Sequence, residues 1–258
     1  MFLSDKIPLR KNYSRIISLV PSQTELLSYL GVEEKVVGIT KFCIHPDAWY
    51  RNKTKIGGTK KIDLNLIQSL SPDLIIANKE ENVKEQVEAL AEKYDVWMTD
   101  VNNLCDAIIM INDIGKLVKK QDAASILIRE IRAGFETLKK EFHHKRKIPA
   151  AYFIWQKPYM VAGGDTFIND MMGYCGLKNV FADHQRYPAI TLDEIKEKNT
   201  ELILLSSEPY PFKEKHKDEI QKDLPGLSVE LTDGEMFSWY GSRLLKSVDY
   251  FHSFLKCL

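Results

Sequence analysis

The stretch Gln121-Asp-Ala-Ala-Ser-Ile-Leu-Ile-Arg-Glu-Ile-Arg-Ala-Gly-Phe-Glu-Thr-Leu-Lys-Lys-Glu-Phe-His143 predicts one long helix. Its apolar residues recur at three- and four-residue steps, at Ala124, Ile128, Ile131, Phe135, Leu138 and Phe142. Asp122 is placed to cap the start, and Pro149 excludes further helix. About 22 residues at a rise of about 1.5 Å span about 33 Å, the order of a small domain's diameter. We therefore expect this helix to connect two α/β halves.

The composition is that of a globular protein with a full core. The chain has 258 residues, of which 44% are hydrophobic, and a length that suits two lobes of about 100 residues each. Its 36 basic and 36 acidic residues cancel, so a nucleic-acid partner is not expected. The start lacks the apolar run of an export signal, and no stretch is long enough to insert into a membrane. The missing signal predicts a cytoplasmic location for the sequence as written, and we separately expect a monomer.

The residues before the long helix alternate between strand and helix patterns. Arg15 to Val20 is a β-branched apolar run, and Ser22-Gln-Thr-Glu25 has the pattern of a helix capping box, in which Glu25 reaches back to Ser22. The further predicted elements are strands at 36–40, 73–77 and 96–99 and helices at 63–69 and 83–94. Such alternation predicts a parallel sheet with helical crossovers.

The same order returns after the long helix. Residues 150–155 predict a strand, and Asp165 is placed to cap a helix over 166–174. The segment from Asp63 resembles the segment from Ile190 once Leu64 is aligned with Leu192. We therefore predict two homologous Rossmann-like α/β lobes joined by the long helix, with a ligand cleft between them. The predicted divisions are 1–103, 104–146 and 147–258.

No catalytic or metal-binding motif is present in the sequence. Glycine pairs occur only at Gly57-Gly58 and Gly163-Gly164, without the spacing of a dinucleotide fingerprint or a Walker loop. Zinc-protease and serine-hydrolase motifs are absent, and the four cysteines show no zinc-ligand spacing. We therefore expect a protein that is not an enzyme and has no intrinsic cofactor.

Large apolar side chains gather in or beside the loops at predicted strand ends. They are Phe42, Trp155, Tyr159, Tyr187, Met236, Phe237, Trp239 and Tyr240. Each alone is compatible with a lobe core, but together they fit a cleft lined by flat apolar surface. Such a cleft suits a large, planar, partly hydrophobic ligand.

His45 stands just before Pro46, which predicts an extended or turn conformation in a loop. One interpretation is a hydrogen-bonded loop histidine. The other is an imidazole that binds the cobalt or iron of a ligand as an axial ligand. Cys43 is nearby, and a small buried thiol is the simpler interpretation for it.

With these residues assembled, the chain resembles the substrate-binding proteins of ATP-driven importers that take up cobalamin, ferric siderophores and haem. The resemblance lies in the segment Arg15-Ile-Ile-Ser-Leu-Val-Pro-Ser-Gln-Thr-Glu-Leu26, in Val37-Gly-Ile39 and in Leu70-Ser-Pro-Asp-Leu-Ile-Ile76. It covers nearly the whole chain. It implies two α/β lobes joined by a single backbone helix, with the ligand bound between them, and a periplasmic location if the protein is exported.

The resemblance also implies a set of ligand-binding positions. Phe42 falls where cobalamin receptors have a ligand-contacting tyrosine, Tyr159 or Met160 where they have a phenylalanine, and Tyr187 where they have a tryptophan. The loop from Asp233 to Arg243 is similar to their acidic and aromatic loop near the ligand. The full implied set is Ser22, Phe42, His45, Thr59, Trp155, Tyr159, Met160, Tyr187, Met236, Phe237, Trp239, Tyr240 and Arg243. Thr59 departs from the pattern, because these receptors have a cleft tryptophan there.

Two further features come from the resemblance. Receptors of this class present one glutamate on each lobe to arginines of the importer membrane subunits, whereas the corresponding places here hold Asn65 and Asp193, with Glu194 adjacent. Cys175 and Cys257 fall where cobalamin receptors have a disulfide.

The sequence thus predicts non-catalytic binding of a cobalamin-type corrinoid, with an ABC importer as partner. The alternatives are a ferric siderophore or haem as ligand, a cytosolic corrinoid carrier, or a chelatase-like enzyme. The enzyme alternative requires a base and carboxylates that converge in the cleft, and the sequence offers His45, Glu208, Asp233 and Glu235 for them.

Overall fold

The first sheet is parallel throughout. We describe a computed structural model of the chain, which covers residues 11–142 and 145–254. Within these residues the sheet has the order β3-β2-β1-β4-β5. Its strands are β1 (Ile16–Ser18), β2 (Val36–Ile39), β3 (Thr54–Lys55), β4 (Leu74–Asn78) and β5 (Asp95–Thr99). Because the strands are parallel, the loops that follow them emerge at one edge.

Helices connect these strands much as the alternating pattern predicts. They are α1 (Pro21–Tyr29), α2 (Asp47–Asn52), α3 (Leu64–Leu70), α4 (Lys84–Ala91) and α5 (Leu104–Leu117). The sequence did not predict α2, which is a short helix that begins directly after Pro46. Too few of its residues are apolar to give a helical period.

The predicted capping box at the start of α1 is wrong. The helix already begins at Pro21, and Val20 holds the cap position without a side-chain bond. Proline fixes its own φ near the helical value and has no N–H to satisfy, so the helix starts one residue before Ser22. Glu25 instead binds Arg243.

The long helix is confirmed as α6 (Gln121–Phe142). Its buried face comprises Ala124, Leu127, Ile131, Phe135, Leu138 and Phe142, close to the predicted stripe. Asp122 lies inside the first turn rather than before it, where a carboxylate still faces the positive end of the helix dipole. Within the part of the chain that the structure describes, no helix is both long and apolar enough to cross a membrane.

The second sheet is mixed rather than purely parallel. Its main path is β11-β10-β6-β7-β9, and β8 pairs with β6. The strands are β6 (Ile148–Trp155), β7 (Tyr159–Val161), β8 (Leu177–Asn179), β9 (Ala189–Ile190), β10 (Leu202–Ser206) and β11 (Ser228–Thr232). β6, β10 and β11 run parallel, whereas β7 runs antiparallel to β6. A short turn joins β6 to β7, and only antiparallel neighbours can be joined so briefly.

The second set of helices comprises α7 (Phe167–Tyr174), α8 (Leu192–Glu197), α9 (Glu214–Asp223), α10 (Gly234–Ser238) and α11 (Leu244–Phe254). Thr166, not the predicted Asp165, caps α7 by accepting from the Asn169 amide. Asp165 accepts instead from the backbone of Arg186.

The internal repeat has a structural counterpart. Leu64 and Leu192 are the first residues of α3 and α8, and each helix leads into a fully buried strand, β4 or β10. Leu74 of β4 pairs with Ile16 of β1, and Leu202 of β10 pairs with Ala150 of β6. The aligned segments therefore form the same helix-strand unit in both sheets.

The described chain forms two compact units. The first contains the described residues up to Val101, together with Cys105–Glu130 and Tyr240–Arg243. The second contains Asn102–Leu104, Ile131–Trp239 and the described residues from Leu244. The division falls inside α6, so α5 from Cys105 onward and the first part of α6 belong to the first unit. The sequence-based divisions instead treated 104–146 as a separate connection.

Candidate functional site

Phe42 stands exposed in the loop that follows β2. Half of its surface is accessible, at 50%, and the Lys41 ammonium lies 5.1 Å from the ring centroid. A Cβ added at Gly58 would lie 3.2 Å from Phe42 Cε2, so the glycine leaves room for the ring. Thr59 follows that glycine and is mostly buried. His45 lies in the same loop as Phe42 and is partly exposed.

Cys43 anchors this loop from inside. Its Sγ accepts a hydrogen bond of 3.1 Å from Thr24 Oγ1 and lies 3.1 Å from Thr40 Oγ1. Burial raises the pKa of the Cys43 thiol, and the two threonine contacts only partly oppose this effect. The thiol therefore stays neutral and packs, as the simpler interpretation of the sequence predicted.

Two asparagines tie together the loops at the same sheet edge. Asn82 Nδ2 donates to the carbonyls of Thr59, at 3.2 Å, and Leu19, at 3.4 Å. Asn82 Oδ1 accepts from the amide of Asn78, whose own Oδ1 accepts from the Glu80 amide. Neither asparagine was predicted from the sequence, although amide side chains at and just after the end of a buried strand were the available signal.

Ser22, Tyr240 and Arg243 form internal contacts of the first unit rather than open surface. Tyr240 is buried, which raises the pKa of its hydroxyl, and a hydrogen bond to Ser22 partly opposes that shift. Arg243 is also buried and makes a bidentate pair with Glu25 at 2.8 Å. The polar groups of these three residues are engaged with each other or with Glu25, and their implied ligand-binding role stays a prediction.

Trp155 is the exposed aromatic of the second unit. It ends β6 with 40% of its surface accessible, and Tyr210 meets its ring edge-on at 5.6 Å. Met160 pairs with Trp155 across the β6-β7 turn and is partly buried. Tyr159 is also partly buried and packs against Phe153. The structure therefore brings Trp155, Tyr159 and Met160 together.

Phe237 and Trp239 are not exposed platforms. Phe237 is fully buried in the second unit, with its ring 5.1 Å from Tyr152 and 4.7 Å from Phe251. Trp239 is only 6% exposed, and its Nε1 donates to Glu208 Oε1 at 2.9 Å. α10 turns the Phe237 side chain into the core of its own unit, so this ring is not part of the exposed aromatic surface.

Glu208 organises the loop that follows β10. Its Oε1 also accepts a hydrogen bond of 2.6 Å from Ser238. Burial raises the pKa of this carboxyl, the nearby Glu235 and Asp233 add to the effect, and the bonds from Ser238 and Trp239 oppose it. The carboxyl thus ties the loop after β10 to Ser238 and Trp239.

The remaining predicted site residues are Tyr187, Met236 and the two cysteines of the implied disulfide. Tyr187 and Met236 are partly buried. Cys175 is a free and fully buried thiol, and its predicted disulfide partner Cys257 lies outside the described residues. Across residues 11–142 and 145–254, no cluster of three or more histidine, cysteine or acidic side chains could hold a metal ion.

The docking candidates occupy equivalent positions in the repeat. Asn65 and Asp193 are each the second residue of their helix, α3 or α8, and both are exposed. Asp193 pairs loosely with Lys196 and keeps 83% of its side chain accessible. Glu194 accepts from the backbone and side chain of Thr191, and these bonds lower the pKa of its carboxyl. The more accessible carboxylate of the two is therefore that of Asp193.

Parallel strands with exposed aromatic rings at their carboxyl ends are typical of α/β proteins that bind small molecules. Comparison with known families identifies the group more closely. The chain belongs to the periplasmic binding protein family, whose model matches residues 16–229. The resemblance noted in the sequence is thereby confirmed.

The chain is also similar to individual proteins, in sequence to one relative and in fold to two solved structures. The chain is 24% identical over 194 residues to the vitamin B12-binding protein of Vibrio campbellii, covering 74% of this chain and 70% of that protein. The periplasmic vitamin B12 binding protein of Vibrio cholerae has a similar fold, with a TM-score of 0.81, 19% identity and coverage of 95% and 97%. The periplasmic heme binding protein of the same organism gives a TM-score of 0.78, 18% identity and coverage of 93% and 98%.

Proposed function

We propose that this protein binds a cobalamin-type corrinoid without transforming it, as the substrate-binding component of an ABC-type uptake system. The observation that carries the proposal is the pair of exposed rings at sheet edges, Phe42 in the first unit and Trp155 in the second. Phe42 lies beside Gly58, and the Trp155 ring meets Tyr210 edge-on. Exposed aromatic surface suits a large ligand with flat apolar faces.

Binding without catalysis fits the way that the reactive side chains are engaged. The Cys43 thiol lies against two threonines, and burial keeps it protonated. Glu208 accepts from Ser238 and Trp239. A general base must reach its substrate, whereas these groups serve the packing of their own loops.

The direct experiment is incubation of the purified protein with cyanocobalamin, followed by desalting and a visible spectrum. We expect corrin absorbance to elute with the protein in a one-to-one ratio. Parallel incubations with haem and with a ferric hydroxamate compare the other ligand classes. A colourless protein after all three incubations would contradict the proposal.

Haem is the second candidate ligand, and His45 is the observation that favours it. This imidazole is partly exposed in the loop that carries Phe42, and a neutral imidazole is a good ligand for iron or cobalt. Haem bound through His45 should show a Soret band that His45→Ala shifts. Similarly, His45→Ala should abolish a spectral shift of aquocobalamin, whereas cyanocobalamin, whose axial site is filled, should shift little in either protein.

The proposed protein partner is the membrane portion of an importer. Asp193 provides an accessible carboxylate at the start of α8, while the equivalent position of α3 holds the uncharged Asn65. One docking charge is thus available where receptors of this class present two. Weak docking with strong ligand binding would instead favour a corrinoid carrier that works without a transporter.

A further inference from the structure

His216 in the second unit is a buried histidine whose two ring nitrogens are both engaged. The side chain lies at the start of α9, and the residue is 5% exposed. Its Nδ1 accepts a hydrogen bond of 2.9 Å from the amide of Lys213, and its Nε2 lies 3.2 Å from Tyr210 Oη. Because Nδ1 accepts, the single proton of the neutral ring sits on Nε2 and donates to Tyr210.

The hydrogen bonds continue beyond Tyr210. Its hydroxyl donates to Gln156 Oε1 at 2.9 Å, and Gln156 Nε2 points to Glu219 Oε2 at 3.5 Å. We call this series of hydrogen bonds the His216 chain. In it each residue donates to the next, in the order Lys213, His216, Tyr210, Gln156 and Glu219. Protonation of the ring at Nδ1 removes the first of these bonds, from the Lys213 amide, and leaves the others in place.

The His216 chain holds the loop of residues 207–213, which connects β10 to α9. Tyr210 of this loop supports the Trp155 ring at 5.6 Å, and Glu208 of the same loop accepts from the Trp239 indole. Phe212 also packs edge-on against His216 at 5.6 Å. One loop therefore sets the surroundings of both tryptophans of the second unit.

We propose that His216 is an acid-sensitive switch that releases the loop of residues 207–213 and thereby loosens the exposed Trp155. In the switching step the ring takes one proton from solvent at Nδ1. The Lys213 N–H then faces another N–H, so that hydrogen bond is lost and the end of the chain that fixes Lys213 is released. The hydrogen bond from Nε2 to Tyr210 persists, so the release begins at Lys213, where the loop enters α9.

The groups around His216 favour the neutral ring. Lys213 faces it from the loop, and Lys215 and Glu219 face it from α9, while Tyr210, Phe212 and Gln156 contribute no charge. Burial lowers the pKa of His216 below its ordinary value of 6.5; Lys215 and Lys213 add to this effect, and Glu219 opposes it. The unfolded protein therefore binds the proton more readily than the folded protein. The stability that the hydrogen bonds of the His216 chain contribute is complete at neutral pH and is lost as the pH falls below 6.5.

The consequence for ligand affinity rests on the proposed function, but the switch itself is tested on the ligand-free protein. His216→Gln is the informative variant, because a glutamine at the third helical position can still accept from the Lys213 amide and does not titrate. His184→Gln is the matched control, since His184 belongs to the same unit and its side chain is 38% exposed.

The measurement is tryptophan emission between pH 8 and pH 4.5. We expect the wild type and His184→Gln to show a red shift with a midpoint below 6.5, and His216→Gln to lack it. The shift should also disappear from Trp155→Phe. An identical shift in His216→Gln overturns the proposal.

A second measurement does not depend on how well the variant folds. In the ligand-free wild type, the amide resonance of Lys213 should move in step with the titration of the His216 ring, as followed by NMR. A Lys213 resonance that stays in place while His216 titrates also overturns the switch. If both measurements succeed while no corrinoid binds, the switch stands and the proposed function fails.

Discussion

Arg243 binds Glu25 across 218 positions of the chain. Its Nε and Nη2 donate to the two carboxylate oxygens, both at 2.8 Å. Beside it, Gly241 adopts a φ of +116°, and a Cβ there would lie 3.3 Å from the carbonyl of Ser22. The segment Tyr240–Arg243 is therefore fixed to α1 by a buried ion pair and by a turn that favours glycine.

Removing one partner of this pair should destabilise the protein. We expect Arg243→Ala to lower the free energy of unfolding by about 3 kcal/mol, because Glu25 keeps its buried charge without a partner. Urea denaturation measures the change. Arg51→Ala is the matched control, since the Arg51–Asp47 pair is exposed, at 73% and 66%, and should cost no more than about 1 kcal/mol. Equal effects of the two variants would contradict the assigned burial.

Trp155 should contribute most of the aromatic contact with ligand in the second unit. If a corrinoid binds, Trp155→Ala should weaken its affinity by about 2 to 4 kcal/mol, as loss of an aromatic anchor commonly does. Titration calorimetry gives the affinity. Tyr29→Ala changes another exposed aromatic residue, 45% accessible at the end of α1, and should leave affinity unchanged. A Trp155→Ala protein with wild-type affinity would remove Trp155 from the site.

Glu208 should make stability depend on pH in a direction unusual for an acid. Because its pKa is raised above 4.5 in the folded protein, the folded state keeps a proton that the unfolded chain has lost, and stability falls as the pH rises through this window. Glu208→Gln removes this loss, so its stability relative to the wild type should increase with pH above 4.5. Urea denaturation at several pH values provides the test.

Glu194 supplies the opposite control for that experiment. Its capping bonds lower its pKa, so the wild type gains stability as the pH rises toward 4.5 and loses it on acidification. Glu194→Gln should therefore lose stability relative to the wild type as the pH rises. Slopes of the same sign for the two variants would contradict the different surroundings of these carboxyls.

Gly57 should tolerate no side chain. Its φ is +105°, and a Cβ would lie 2.5 Å from the carbonyl of Lys61. We expect Gly57→Ala to destabilise by at least about 1 kcal/mol and to displace the neighbouring Phe42 loop. Gly173, in α7, has open space around its added Cβ, so Gly173→Ala should instead stabilise by up to about 1 kcal/mol. The midpoints of thermal unfolding of the two variants, compared with that of the wild type, test both expectations.

Asn65→Glu tests docking to an importer. The substitution places a second outward carboxylate at the position equivalent to Asp193, and complementary charge speeds encounter. We expect stronger capture by the membrane subunits of a cobalamin importer at low salt, and weaker capture by Asp193→Asn. Ligand affinity should not change in either variant. Equal capture of all three proteins would count against an importer partner.

The sequence predicted well those features that depend on neighbours along the chain. The bounds of α6 follow from the spacing of residues such as Ile131 and Phe135, because the helical repeat returns apolar side chains to one face. The alignment of Leu64 with Leu192 is matched by the starts of α3 and α8. The family followed from the same local motifs.

The sequence could not show which site residues are buried by contacts with residues far apart in the chain. The loop from Asp233 to Arg243 has an aromatic pattern that fits a ligand surface, yet α10 places Phe237 against Tyr152 and Phe251 in the core. The amino-acid composition of this loop would be the same whether its aromatic side chains faced a ligand or the core. Only the packing of strands and helices fixes which face of so short a helix is covered.

The sequence by itself determined the alternation of strands and helices, the long helix and the repeat, because hydrophobic period and helix termini are local properties. Tertiary structure alone decided that Glu25 binds Arg243 rather than closing a capping box, and that Trp239 donates to Glu208. The physical reason is that a buried polar group must find a partner wherever the fold brings one, and distance along the chain does not restrict that choice.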